Sequence, residues 1–146
     1  MKFDYPKNVH FKCSRCALCC GNTEKRDRTI LFTKIEANSI TQKTSMQLEE
    51  FAEKIKGREP YIYKMKKTKK GKCIFLKNNS CSIYKVRPLI CRFYPFELRE
   101  TKSNRHVFAY TKECPGIGEG PLLTKRFFET LFRSLIKILN RNSHTT

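Results

Sequence analysis

Eight cysteines are the residues of this 146-residue chain whose type and spacing could do chemistry. Four of them form a C-x2-C-x2-C-C run, and the other four lie at wide intervals further along the chain. Cysteine thiolates ligate zinc and hold iron–sulfur clusters. Eight thiolates could serve two zinc ions, one four-iron cluster with four further cysteines, or two clusters. We therefore predict a metal centre whose candidate ligands are Cys13, Cys16, Cys19, Cys20, Cys73, Cys81, Cys91 and Cys114.

The spacing within the first run favours iron–sulfur over zinc. Structural zinc sites usually take their ligands from two separated C-x2–4-C pairs. Three cysteines at successive x2 spacing are typical of the loop that wraps a [4Fe–4S] cluster in bacterial ferredoxins. The match is partial, because here Cys20 follows Cys19 directly and the Cys-Pro pair lies far away at Cys114. We favour a [4Fe–4S] cluster as the cofactor and keep zinc as the alternative.

The N-terminus indicates how the cysteines are used. Residues 1–12 contain no continuous apolar run of the kind that forms a secretory signal, so we expect a cytoplasmic protein. Disulfides are rare in the reducing cytosol outside hyperthermophiles, and we therefore prefer metal ligation to disulfide pairing. No apolar stretch approaches the ~18–20 residues that cross a membrane, so we expect no membrane association.

Charge is the second strong feature of the composition. The chain carries 31 Lys and Arg against 13 Asp and Glu, a formal net charge of +18. Ten of the basic residues and no acidic residue fall between Pro60 and Phe96, among the later cysteines. Such a segment predicts a positive face that attracts an anionic ligand, an acidic protein partner or a nucleic acid. A solvated basic loop without a partner is the competing interpretation.

Composition and periodicity predict a small α+β single domain over 1–146, in which short hairpins and helices surround the metal centre. The hydrophobic share of 39%, with 11 Phe, is enough for one modest core. The ligand motifs lie within 11–120, and an amphipathic packing helix is predicted over 121–140 from its apolar stripe. Capping boxes, turn residues and alternation predict the shorter elements. These are a strand at 29–32, helices from Thr33 and over 44–57, a helix at 89–93, a hairpin over 96–110 and a loop at 114–120.

The hairpin that carries Cys73 and Cys81 has two possible registers. A four-residue loop over 77–80 pairs Leu76 with Cys81 and leaves the two cysteines on opposite faces, because side chains alternate along a strand. A three-residue loop pairs Phe75 with Cys81 and puts both cysteines on one face. Because both cysteines are candidate ligands of one centre, we predict the second register, with Asn79 at positive φ.

Together these motifs resemble the CxxCxxCC-type zinc- or iron-chelating cysteine-cluster family, whose domain also occurs in flagellin lysine N-methylase. The matching pieces are FKCSRCALCCG at 11–21, GKCIFL at 71–76, CSIYKVRPLICRFYP at 81–95 and CPG at 114–116. The resemblance covers roughly residues 11–120. It implies binding of a metal or an iron–sulfur cluster through these cysteines. In some longer members it also implies methyl transfer from S-adenosylmethionine to protein lysine.

Three functions are therefore open at the level of the sequence. The first is a metal-binding cysteine-cluster protein, in which iron–sulfur or zinc organises the fold and supports protein modification. The second is an enzyme, either similar to the S-adenosylmethionine-dependent lysine methylases or a redox enzyme that uses the cluster. The third is a basic nucleic-acid-binding module, which the charge of +18 suggests.

Overall fold

A computed structural model describes residues 3–13, 19–23, 26–101 and 105–144. These residues form a small α+β structure, as predicted, with four α-helices and ten short strands. The helices are α1 (Lys34–Thr44), α2 (Leu48–Phe51), α3 (Leu89–Phe93) and α4 (Lys125–His144). The strands are β1 (Phe3–Asp4), β2 (His10–Phe11), β3 (Leu31–Phe32), β4 (Ala52–Lys54), β5 (Tyr63–Met65), β6 (Leu76–Lys77), β7 (Ser80–Cys81), β8 (Phe96–Glu100), β9 (His106–Tyr110) and β10 (Ile117–Leu122).

The strands form four small sheets rather than one large one. The order β1-β9-β8 makes one sheet, in which β8 and β9 are the predicted hairpin and β1 adds in parallel. The order β3-β5-β4 makes an antiparallel sheet that packs under α1 and α2. The pairs β2–β10 and β6–β7 are two-stranded. Both pairs join segments that carry cysteines.

Two hydrophobic clusters form the interior. The first contains Phe32, Ile40, Phe51 and Phe75 among its buried members and belongs mainly to residues 30–83. The second joins Phe93, Phe96 and Phe108 to Phe128 and Phe132 of α4. Edge-to-face and tilted ring contacts at centroid distances of 5.1–5.9 Å connect the aromatic residues of this second cluster. Burial of the apolar residues in both clusters stabilises the fold.

Local signals predicted several elements correctly. The capping box at the start of α1 is confirmed, because Glu36 N–H donates to Thr33 Oγ1 while the Glu36 carboxylate accepts from Thr33 N–H. The short helix α3 follows Pro88 and ends before Pro95, as predicted. The predicted strand at 29–32 is present as Leu31–Phe32.

Other boundaries differ from the prediction. The helix expected over 44–57 is only the four residues of α2, because the N-cap is Gln47 and the chain turns into β4, which pairs with β5. The loop expected at 114–120 contains the start of β10, which pairs with β2. The C-terminal helix begins at Lys125 rather than at Pro121, since Pro121 lies within β10.

The predicted register of the cysteine hairpin is wrong. Leu76 pairs with Cys81 and Lys77 with Ser80, so a two-residue turn of Asn78 and Asn79 connects the strands. Both turn residues have positive φ, at 51° and 61°, which gives the twist that two-residue hairpins favour. Cys73 lies before the paired strands, in a turn that Leu76 N–H closes on Cys73 O at 3.0 Å. Strand alternation therefore does not fix the relative orientation of the two cysteines.

No helix in the described part of the chain is both long enough and apolar enough to span a bilayer.

Candidate metal centre

One cavity of about 450 Å³ gathers all seven cysteines that the structure describes. They come from four segments of the chain, and all seven are free thiols. Ile30, Met65 and Ile83 line the cavity from the first hydrophobic cluster, and Phe127 and Leu131 of α4 line it from the second. Cys16, the eighth candidate ligand, lies outside the described residues. The lining cysteines are Cys13, Cys19, Cys20, Cys73, Cys81, Cys91 and Cys114.

Backbone contacts hold the first cysteine run against the hairpin segment. Cys73 N–H donates to Cys20 O at 2.7 Å, and Asn22 N–H donates to Gly71 O at 2.9 Å. Gly21 lies between these two bonds with φ of +132°. A Cβ atom at Gly21 would lie 2.5 Å from Gly71 O, so the close approach of the two segments requires glycine here.

Asn22 collects further contacts that the sequence analysis missed. Its Oδ1 accepts from Arg28 N–H at 2.8 Å and from Lys67 Nζ at 2.7 Å, and its carbonyl accepts from Lys72 Nζ. Two lysines of the basic segment therefore bind the loop that follows Cys20. No local pattern could have indicated this, because the partners lie 45 and 50 residues away along the chain.

A second backbone contact brings the segments of Cys13 and Cys114 together. Strands β2 and β10 pair next to these cysteines, and Lys12 N–H donates to Gly116 O at 3.1 Å. A side chain at Gly116 would overlap Lys12 O, so glycine is needed at this crossing as well. Cys13 is exposed at the rim of the cavity and Cys114 is buried.

Cys91 is positioned by a contact between two helices. It lies on α3, whose first amide, Leu89 N–H, donates to Glu36 Oε2 from the capping box of α1. The Glu36 side chain is buried, and desolvation raises its pKa against the opposing effect of the hydrogen bonds from Leu89 and Thr33. This carboxylate thus fixes the start of the helix that carries Cys91.

Amide groups are already directed at two of the sulfurs. Phe75 N–H donates to Cys73 Sγ at 3.4 Å, and the Ile83 backbone makes a hydrogen bond with Cys81. In both cases the donor lies two residues after the cysteine. Hydrogen bonds of this kind stabilise thiolates and tune thiolate-bound metal centres.

Cys19 and Cys20 are adjacent, and a hydrogen bond joins their side chains. A hydrogen bond from the Cys20 thiol, together with the charges of Arg28 and Arg87, lowers the pKa of Cys19 to about 6 despite its burial. The same hydrogen bond and burial raise the pKa of Cys20. Cys19 is therefore the more acidic thiol of the pair, with Cys20 as the donor of the hydrogen bond.

Burial keeps Cys73, Cys81 and Cys91 protonated at neutral pH in the absence of metal, because it raises their pKa values. Desolvation raises the pKa of Cys73 to about 11 and is the main cause of the raised pKa values of Cys81 and Cys91. The charges of neighbouring cysteines raise these pKa values further. Because metals bind the thiolate, ligation here must release protons.

The donor set fits a thiolate-bound metal or cluster, although the thiols do not converge on one point. Within the described ranges, no three His, Cys, Asp or Glu side chains lie close enough together to hold a single ion. What the cavity offers is seven sulfurs on its walls, amide donors to two of them and three arginines nearby, Arg28, Arg87 and Arg92. Soft thiolates select zinc, copper(I) and iron–sulfur clusters.

Comparison with known proteins identifies the family at this point. Residues 12–115 match the CxxCxxCC family model, which is described as “Putative zinc- or iron-chelating domain”. The chain belongs to the CxxCxxCC family. The matched range begins just before the first cysteine of the cavity and ends just after the last. The resemblance seen in the sequence is therefore confirmed, and chelation of zinc or iron is the function that the family description supports.

Relatives of this CxxCxxCC protein occur in Methanocaldococcus jannaschii. The uncharacterized protein MJ0661 is 33% identical over 140 residues, which cover 87% of this chain and 70% of the relative. The uncharacterized protein MJ0939 is 27% identical over 139 residues, which cover 91% of this chain but only 45% of the relative. No solved structure matches this chain significantly.

Proposed function

We propose that this protein binds an iron–sulfur cluster of the [4Fe–4S] type through cysteine thiolates in the cavity. The observation that carries the proposal is that seven cysteines from four chain segments line one cavity. The candidate ligands are these seven together with Cys16 of the first run. When bound, the cluster would link the segments covalently through Fe–S bonds, and it would supply electron-transfer or Lewis-acid chemistry at the cavity.

The spacing of the first cysteine run favours a cluster over a single zinc ion. The cavity, of about 450 Å³, is larger than one tetrahedral zinc site requires, since such a site places its sulfurs only about 2.3 Å from the metal. The successive x2 spacing of Cys13, Cys16 and Cys19 supports a cluster, because it suits one loop wrapped around several irons.

The residues around the sulfurs support a negatively charged centre. A cluster or a zinc ion bound by four thiolates carries net negative charge. Arg87 and Arg92 line the cavity, and Arg28 lies beside Cys19 and Cys91. Positive charge and amide donors next to thiolates favour their deprotonation and hence metal binding.

Purification without oxygen tests the proposal. The expected result is a brown protein with broad visible absorption and with iron and acid-labile sulfide in equal amounts. Cys73→Ser and Cys114→Ser should lower the iron content, whereas Ser134→Ala, which alters a cavity residue without sulfur, should not. A colourless protein with stoichiometric zinc would replace the cluster by the zinc alternative. A protein that holds neither metal would contradict chelation itself.

A further inference from the structure

Arg28 makes an unusual set of contacts beside the cavity. Its Nε donates to Cys19 O at 3.0 Å, and its Nη2 donates to Ile90 O at 3.2 Å. The guanidinium lies 4.8 Å from the centre of the Tyr94 ring, within the range of a cation–π contact. One side chain thus connects the loop that contains Cys19 with the helix that contains Cys91, through Ile90, which lies 62 residues from Arg28 along the chain.

The two arginines that line the cavity, Arg87 and Arg92, bind within their own segment. Arg87 donates to Tyr84 O at 2.7 Å and stacks on the Tyr84 ring at 3.8 Å. Arg92 donates to Arg87 O at 3.2 Å. These contacts shape the chain around Cys91, but they do not tie it to the first cysteine run. Arg28 differs because it spans the two.

We propose that Arg28 is a positioning residue for the metal centre: it fixes Cys19 relative to Cys91 and places a permanent positive charge beside the bound metal. The proposal rests on the proposed function, since it concerns the same centre. The planar guanidinium suits this role, because its fork of donors can reach two carbonyls at once while its face stacks on a ring. A Lys side chain could retain the charge but could not make both carbonyl bonds and the stacking contact together.

The geometric part of the role is tested by metal affinity. Outer-shell partners of metal ligands typically contribute about 10–100-fold to affinity, and we expect Arg28→Gln to lose metal to a competing chelator with an affinity lower by about that factor. Arg28→Lys should remain weakened. Arg26→Gln is the matched control, because Arg26 lies two residues away on the same loop and pairs instead with Glu113 at 3.8 Å.

The electrostatic part of the role is tested by the midpoint potential of the cluster. Reduction adds negative charge, which a nearby cation stabilises. Arg28→Gln should therefore shift the potential to more negative values, while Arg28→Lys and Arg26→Gln should stay close to the wild type. If Arg28 only supported the fold, the midpoint potentials of Arg28→Gln and Arg28→Lys would not differ in this way.

The melting temperature of the metal-free variants completes the experiment. If metal-free Arg28→Gln and metal-free Arg26→Gln have the same melting temperature, the lower metal affinity of Arg28→Gln arises at the metal centre and supports the proposal. Equal affinity and potential in the two variants would overturn it. So would a loss of stability in metal-free Arg28→Gln that accounts for all of the weakened binding. A wild-type protein that takes up no metal would refute the proposed function first, before any variant is compared.

Discussion

Gly21 is the residue at which the smallest change should have the largest effect on the centre. A methyl group at this position would lie 2.5 Å from Gly71 O and 2.8 Å from Lys72 Cα. Both are backbone atoms, so a change of side-chain rotamer cannot relieve the overlap. We expect Gly21→Ala to push the first cysteine run away from Cys73, to lower the metal content and to reduce the melting temperature. Metal analysis and thermal unfolding of the purified variant measure both effects.

Gly57→Ala is the control for backbone strain alone. Gly57 also has positive φ, at +79°, but nothing lies within 4 Å of an added Cβ. Its replacement should cost only about 1 kcal/mol in the free energy of unfolding and leave the metal content unchanged. If the two variants behave alike, the close approach at Gly21 does not position the cysteines.

Residue identities in the centre differed in how well the sequence predicted them. That the cysteines gather at one cavity was predictable, because their number and spacing carry the signal directly. Arg28 and Asn22 were not, because each acts through contacts with residues 45–62 positions away, Lys67, Lys72 and Ile90. The basic segment was identified by composition, but composition could not show that Lys67 and Lys72 are used inside the molecule.

At the scale of elements, Glu36 connects α1 with α3. Its carboxylate accepts from Thr33 N–H at 3.0 Å and also from Leu89 N–H at the start of the helix that bears Cys91. We expect Glu36→Ala to lower the free energy of unfolding by about 1–3 kcal/mol, because it leaves buried amide groups without partners. Glu50→Ala is the control, since Glu50 makes a comparable contact with Gln47 N–H at the exposed start of α2 and should cost less.

The raised pKa of Glu36 also sets a direction for the pH dependence of stability. Burial raises this pKa above its ordinary value of 4.5, so the folded protein holds the proton more tightly than the unfolded chain does. The resulting stability is fully present below pH 4.5 and is lost as the pH rises through the raised pKa. As the pH rises through that window, the wild type should therefore lose free energy of unfolding relative to Glu36→Gln. A difference that moves in favour of the wild type would contradict the assigned cause.

The hairpin between β6 and β7 tests the register that the sequence failed to predict. Asn78 and Asn79 both adopt left-handed conformations in its two-residue turn. We expect Asn79→Gly to be neutral or stabilising and Asn79→Val to destabilise by about 1–2 kcal/mol, since a β-branched residue resists positive φ. Urea unfolding of both variants gives the comparison. Equal stability of the Gly and Val variants would argue for a different turn.

The reason for the wrong register lies in the assumption that Cys73 is part of a strand. Two cysteines on one regular hairpin share a face only in particular registers. Here the turn over 73–76 breaks that rule, and both cysteines line the cavity although the loop is even. Helix α1 was predictable because its signal is local. The end of α2 was not predictable, because the chain leaves the helix to form β4, which pairs with β5. The start of α4 was not predictable either, because the preceding residues form β10, which pairs with β2.

At the scale of the whole molecule, the cavity joins the two hydrophobic clusters. Metal binding can contribute on the order of 10 kcal/mol to apparent folding free energy, so removal of metal by a chelator should lower the melting temperature and loosen the aromatic packing seen in near-ultraviolet circular dichroism. Cys16→Ser should be more damaging than Lys69→Ala, a change at an exposed residue. Unchanged spectra and melting after complete removal would mean that the cysteines are not structural ligands.

The net charge of +18 predicts attraction to polyanions, and the structure narrows where it would act. Lys66, Lys67 and Lys72 of the basic segment hydrogen-bond to carbonyl or amide oxygens, whereas Lys69, Lys70, Lys77 and Lys85 are exposed. We propose that the two adjacent exposed lysines, Lys69 and Lys70, contact an anionic partner. Binding to a short RNA should weaken as salt rises, and Lys69→Gln/Lys70→Gln should reduce the slope of log affinity against log salt by about 2, one for each lost phosphate contact.

A variant with the same change in net charge distinguishes a specific face from general attraction. Lys34→Gln/Lys43→Gln removes two exposed positive charges from α1, outside the basic segment. If Lys69 and Lys70 contact the polyanion, only their replacement lowers the slope, because the slope counts phosphates that are neutralised at contact rather than total charge. Equal slopes in the two variants would assign the attraction to net charge. Absence of binding at low salt would leave the basic segment with the structural role that Lys67 and Lys72 have beside Asn22.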